Sequence, residues 1–363
     1  MRRSLGTALA LASVVFGAPA ARAEPGVVEL AALPGGTKGS AVAINDAGVV
    51  VGRSTGADGK ARPVRWDASG AITELLPPPG AVNPGKVFGV DADGVAHGNT
   101  STPEHWAQAT KWGADGVATV LDLLPGGTYS FAVEVNASGT VVGYGGDAGG
   151  VRRAIRWDRD GRATALPDLG VATEATAVDA DGAIAGIAHF ADHRRAVRWD
   201  GGALTDLGAV PDSASLSVKA VRGPFVIAHF QRGDRTSFAA RWDGTALTEA
   251  PASPGQSSTL QTVDATGAAF GRVSGKPARW AADGTLTTLA LPTGFTIGEV
   301  MRLNDAGVAV GTAQNREVRP IRWSPTGEVQ LLPVPSGTYG FALGVNAGGV
   351  VVGEFGGRAV LWP

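Results

Sequence analysis

The chain has 363 residues, too many for one ordinary compact core and a length that suits two domains or one repeat array. Its formal charge of −2 falls to −5 without Arg2, Arg3 and Arg22 of the N-terminal segment, which argues against general nucleic-acid binding and against a polybasic membrane footprint. Cysteine is absent, which excludes disulfides, thiolate zinc sites and a cysteine nucleophile, while 54 glycines point to many tight turns rather than helices.

The N-terminus reads as a secretory signal. Arg2 and Arg3 form a positive region, Leu5 to Gly17 a short apolar run, and Ala21-Arg22-Ala23 a small-residue cleavage site. Cleavage after Ala23 is expected, by the general rather than the twin-arginine route, with an uncleaved anchor as the alternative. The mature part, 24–363, is then one secreted, periplasmic or cell-surface domain. No later apolar stretch approaches membrane-spanning length, so no insertion is expected after cleavage.

Internal repeats dominate the rest. Trp66, Trp112, Trp157, Trp199, Trp242, Trp280, Trp323 and Trp362 recur at spacings of 46, 45, 42, 43, 38, 43 and 39 residues. Upstream of seven of the eight lies an Asn/Asp-x-x-Gly turn: Asn45–Gly48, Asp91–Gly94, Asn136–Gly139, Asp179–Gly182, Asp264–Gly267, Asn304–Gly307 and Asn346–Gly349. The fifth unit carries Arg222-Gly223-Pro224 instead. The side chain of Asn or Asp caps such a turn, and Gly takes the positive φ that closes it. Around these turns each unit divides into four short strands: a (Ala41–Asn45), b (Val49–Gly52), c (Pro63–Trp66) and d (Ala71–Leu75) in the first. Four antiparallel strands per repeat of about 40–45 residues is the pattern of a β-propeller blade.

The ends predict closure of the ring. The last unit stops at Trp362-Pro363, just after strand c, whereas Val27–Leu30 near the start matches a strand d. Residues 27–30 are therefore expected to complete the last of eight blades, removing a free sheet edge without a disulfide. Seven blades is the alternative, because the fifth and sixth units are degenerate. Strand a is rich in small residues such as Ala41, Ala132, Ala177, Gly89 and Gly344, as the crowded centre of a propeller requires.

The pattern Leu-Pro-Gly-Gly-Thr-x-Ser-x-Ala-x-x-x-Asn-x-x-Gly-x-Val-Val-Gly, best kept at 33–52, 123–143 and 333–353, resembles the bacterial extracellular HAF-repeat proteins across 25–363. The His-Ala-Phe triplet of that family is not kept; the corresponding places read Arg-Ala-Ile-Arg-Trp at 153–157 and Arg-Ala-Val-Arg-Trp at 195–199. The resemblance implies an exported repeat protein and brings no catalytic residues. The Trp-Asp pairs at Trp66, Trp157, Trp199 and Trp242 also resemble the Trp-Asp repeat propellers. Their Gly-His partner dipeptide is missing, so convergence on one strand-end turn explains them.

Several side chains invite a chemical reading. Arg65, Lys111, Arg156, Arg198, Arg241, Arg279 and Arg322 each precede a repeat tryptophan and alternate to its opposite face. A cationic ring for an acidic polymer is one reading; stacking between blades, paired with turn acids such as Asp67, Asp158 and Asp200, is the favoured one. Asp91–Gly94, Asp158–Gly161 and Asp179–Gly182 open like calcium loops but lack the later acidic ligands. His97, His105, His189, His193 and His229, with the one tryptophan outside the series, Trp106, fall at strand-b ends or in b–c loops. They are the candidate ligand-binding residues, expected to share one face. No metal site follows from their spacing.

No nucleophile elbow, His-Glu-x-x-His or phosphate loop is present, and no cofactor is expected. The expectation is a monomeric, non-catalytic binding module for an extracellular ligand, carbohydrate or protein. The alternative is a polysaccharide hydrolase or lyase using Glu104 and Asp192 as a carboxylate pair.

Overall fold

The computed structural model describes residues 26–363 apart from 210–212, 253–255 and 336; the signal-peptide reading of 1–23 lies outside the described residues. The described residues form eight four-stranded antiparallel sheets and no helix. Blade 1 comprises Gly39–Ile44, Val50–Thr55, Ala61–Trp66 and Ile72–Glu74 as strands a to d. Blades 2 to 7 span 86–120, 130–165, 172–208, 213–249, 258–288 and 297–331. Blade 8 takes strands a to c from Gly340–Val345, Val351–Phe355 and Arg358–Trp362, and its outer strand from Val28–Glu29. The pairing Val28↔Leu361 and Glu29↔Val360 closes the ring as the termini predict. Leu30 N–H extends it to the Ala359 carbonyl at 2.9 Å, and Arg358 pairs with Glu29 at 2.9 Å. This is an eight-bladed β-propeller.

The repeat tryptophans end strand c and pack between blades. Seven of them are fully buried, and Trp242 is partly so. Around Trp66 gather Leu30, Leu33, Ala41, Val64 and Ala359, from the seam between blades 8 and 1. Each such indole removes a large apolar surface from water, and its N–H needs an acceptor there. The acceptor comes from the crossing that leads into the same blade. Trp66 Nε1 donates to Ala31, Trp112 to Leu76 and Trp199 to Pro167, each at 2.7 Å, and Trp157 to Asp122 at 2.8 Å. One residue thus fills the core and ties down the chain between blades.

The inner strands share a feature that the sequence does not announce. All eight carry a β-bulge at the same register, as between Ala41 and Ala43, Ala132 and Glu134, or Ala342 and Gly344. A bulge bends and twists the strand, which suits the tight centre of the ring. It also brings the inner backbone close to strand b. A Cβ on Gly52 would lie 2.0 Å from the Ser40 carbonyl oxygen, and one on Gly143 the same distance from that of Phe131. Glycine therefore recurs there as Gly98, Gly186, Gly271, Gly311 and Gly353. Blade 5, which also lacks the Asx turn and reverses through Gly223-Pro224, has Ala228 instead.

Candidate functional site

The two ends of the ring differ in kind. At one end the a–b turns interlock. Asn45 Oδ1 accepts the Val49 N–H at 2.8 Å, closing its own turn, and Asn45 Nδ2 donates to the Asp91 carbonyl of the next blade at 2.8 Å. Asn136 does the same to Asp179, Asn304 to Asn346, and Asn346 to Asn45 across the seam. Asp91 and Asp179 cannot donate, and their second carboxylate oxygens accept instead. Asp91 takes His97 Nε2 at 3.1 Å and Asp179 the Gly223 N–H at 2.8 Å. The calcium-like aspartates are turn caps, and no group of three or more His, Asp or Glu among the described residues is placed to hold a metal ion.

Several of the basic residues that precede the tryptophans serve the same seam. Arg65 Nε donates to the Gly94 carbonyl at 3.1 Å, Arg198 Nη2 to Gly223 at 2.9 Å, and Arg241 Nη1 to Gly267 at 2.6 Å. Arg241 is buried, stacks 4.1 Å over Trp280 and also reaches the Ala281 and Ala282 carbonyls at 3.0 Å. The interblade reading holds, with turn carbonyls of the next blade as the main partners rather than acids. Arg198 alone of these three adds a turn acid, Asp200 at 3.1 Å.

At the other end, the b–c loops and d–a crossings surround the channel mouth. A cavity of about 940 Å³ opens there across blades 8, 1, 2 and 3. Its floor is apolar, from Val42, Val87, Phe131, Phe341 and Leu343 on the inner strands. Its rim is polar, with Asn83, Asn99, Arg53, Arg62, Lys86 and Glu354. Trp106, 61% exposed, stands at its edge. The b–c loop 101–107 holds this ring in place through a Thr102 N–H bond to the His105 carbonyl at 2.9 Å. His105 Nδ1 contacts the Thr128 carbonyl at 2.5 Å, and the indole leans on Tyr129 with ring centroids 4.9 Å apart.

The five histidines do not converge. His105 supports Trp106 from below. His193 is in the blade 4 b–c loop, 2.6 Å from Asp192 and stacked on Phe190. His189 ends strand b of blade 4, its Nε2 3.2 Å from Glu174 Oε1, which Arg152 also engages. Burial opposes ionisation of Glu174, but His189 and Arg152 outweigh it and hold its carboxyl below the usual range. His97 is buried inside blade 2 near the a–b turns, away from this face, because its strand-b position points it at Asp91. His229 is wedged between blades 5 and 6, its Nε2 against the backbone of Leu260, and burial, with Lys219 nearby, pushes it down to about 4. Asn99 occupies the equivalent place in blade 2 and grips the N–H and carbonyl of Ala132, both at 2.8 Å. Glu104 and Asp192 belong to the loops of different blades, and Asp192 is engaged by its neighbour His193.

Sequence reasoning passes over three aromatic rings of this face and one carboxylate near the a–b turns. Tyr129, Tyr144 and Phe131 look like ordinary strand residues of the third unit. Glu134 lies on the bulged inner strand of blade 3, where burial pushes its carboxyl up to about 7; the Val178 N–H at 3.0 Å and Arg302, from blade 7 on the opposite side of the ring, offset this only in part. Nothing local in the sequence relates Glu134 to Arg302.

No protein-family model matches the chain, and no curated protein matches it in sequence. Solved structures do resemble it in shape. A prolyl endopeptidase superposes with a TM-score of 0.58 at 14% identity, over 88% of this chain and 54% of that one. A puromycin hydrolase gives 0.52 at 16% identity, over 88% and 58%. A puromycin-hydrolyzing peptidase of Mycobacterium tuberculosis gives 0.51 at 13% identity, over 82% and 52%. The chain thus spans little more than half the length of these proteins, and likeness at such identities establishes the propeller fold alone.

Proposed function

We propose that this protein is an exported, non-catalytic binding module that takes a carbohydrate of the extracellular surroundings on its loop-bearing face. The observation that carries this reading is the open cavity with an apolar floor, a polar rim and the exposed Trp106 at its edge. Sugars present flat C–H faces that stack on such rings and hydroxyls that need donors and acceptors around them. The resemblance to HAF-repeat proteins and the leader-like residues 1–23 support export. Retention of the mature chain on a panel of immobilised polysaccharides tests the reading. Trp106→Ala should lose retention while its melting temperature stays that of the parent; equal retention of both proteins counts against it.

A second reading, an enzyme acting on the same polymer, draws support from His189 beside Tyr144 and Arg152, an imidazole whose Nε2 lies 3.2 Å from the Glu174 carboxylate near a phenol and a guanidinium. Turnover of a polysaccharide, lost in His189→Gln, would favour it over the first.

A further inference from the structure

The cavity beside Trp106 does not end at the channel mouth. Phe131, part of its floor, stacks on Tyr144 with centroids 5.4 Å apart and 19° between the planes. Tyr144 in turn carries the Arg152 guanidinium 5.0 Å over its ring. Arg152 pairs with Glu174, and His189 completes that group. Trp106 and Tyr129 form a second pair of rings at the cavity edge. Tyr129, Phe131, Tyr144, Arg152 and His189 all keep part of their surface open. A strip of rings in two pairs, Trp106–Tyr129 and Phe131–Tyr144, thus lies between blade 2 and blade 4, with a polar group beyond Tyr144.

The charges along the strip favour one sign of ligand. Arg53 and Lys86 face one carboxylate, Glu354, at the cavity rim, and Arg53 meets it only at 4.0 Å, while Arg62 is already paired with Asp58 at 2.8 Å and Glu74 at 3.3 Å. At the far end Arg152 has one anionic partner, Glu174, and a guanidinium offers five N–H donors. A carboxylate-bearing ligand therefore has a cation available at each end.

We infer that the face binds an extended acidic oligosaccharide through two subsites, the cavity beside Trp106 for one uronate unit and the Tyr144–Arg152–His189 group for another unit of the same chain. This rests on the carbohydrate reading above and adds the ligand's charge and its length. A chain that spans both subsites gains affinity by linkage, because the second contact is intramolecular once the first has formed. A short chain reaches only one.

Calorimetric titration with oligogalacturonates of increasing length tests this, with neutral chitooligosaccharides of equal length for comparison. Affinity should rise by about tenfold or more between a dimer and a hexamer, and added salt should weaken it. Arg152→Gln and, separately, Tyr144→Ala should abolish the gain with length; Trp106→Ala should weaken every length. Length-independent affinity, equal loss of dimer and hexamer binding in Arg152→Gln, or tighter binding of the neutral series would overturn the two-subsite inference while leaving carbohydrate binding intact. Binding of acidic peptides with no binding of either saccharide series would overturn the carbohydrate reading together with it.

Discussion

The side-chain amide of Asn346 donates to the main-chain carbonyl of Asn45 at 3.2 Å, joining the last blade to the first across 301 residues of chain. The same amide group repeats in Asn45, Asn136 and Asn304, so the seam that closes the ring is built like the interfaces inside it. Asn346→Asp keeps the turn cap but sets a carboxylate against that carbonyl. The expected cost is about 1–3 kcal/mol, the usual range for leaving a buried acceptor unsatisfied, read as a lower urea midpoint. Asn346→Ala, which also loses the cap to the Val350 N–H, should cost more.

Burial separates the basic residues that precede the tryptophans. Arg241 is buried and satisfies carbonyls of Gly267, Ala281 and Ala282, whereas Arg156 is exposed. Arg241→Ala should destabilise by about 3 kcal/mol or more, through lost packing on Trp280 and orphaned carbonyls. Arg156→Ala should stay within about 0.5 kcal/mol of the parent. Paired denaturation curves decide it; equal effects would mean that the row acts as a surface ring and not as a set of latches.

The strand-b glycines make a steric prediction. A methyl on Gly143 would meet the Phe131 carbonyl oxygen at 2.0 Å, a distance that only backbone movement relieves. Gly143→Ala should cost more than about 2 kcal/mol and shift the bulge in blade 3. Blade 5 already accepts Ala228 at this place, so Ala228→Gly should cost only the entropy of a glycine and one buried methyl, about 1–2 kcal/mol. Thermal melts of the two variants measure the contrast.

Much of the architecture was legible because it repeats. Eight tryptophans, seven Asx turns and a missing last strand imply eight blades closed by 27–30, and the pairing Val28↔Leu361 agrees. The bulges were not legible, since an extra unpaired residue leaves no mark in composition; only the glycine opposite it hints at the crowding. The histidines were legible as exceptions but not as to direction. His97 and His229 lie on strand b like His189, yet one faces its own blade's Asp91 and another the next blade's Leu260. Glu134 and Arg302 were beyond reach, because their relation exists only once the ring has closed.

Two buried groups bind protons in opposite senses, which gives a prediction in pH. His229 falls from 6.5 to about 4 in the fold through burial. Between those values the unfolded chain holds a proton that the folded chain refuses, so this group makes stability fall as pH drops through the window. Glu134 rises from 4.5 to about 7, again through burial. Between those values the folded chain holds a proton that the unfolded chain has released, so this group makes stability fall as pH rises. The windows overlap and the slopes oppose, so the native protein should vary little between about pH 4.5 and 6.5. Lowered turn acids such as Asp243, at about 2, act below that range. His229→Asn should keep the backbone grip, as Asn99 does on Ala132, and unmask the Glu134 slope: stability declines from about pH 4.5 to 7. Glu134→Gln should unmask the other, with stability declining from about pH 6.5 to 4. Each slope should amount to about 1–2 kcal/mol over its window, less than the full shift implies because both side chains keep some surface open to water. Urea midpoints measured across this range check it. Two variants that both follow the flat profile of the parent would show that neither group is held in the protonation state its burial demands.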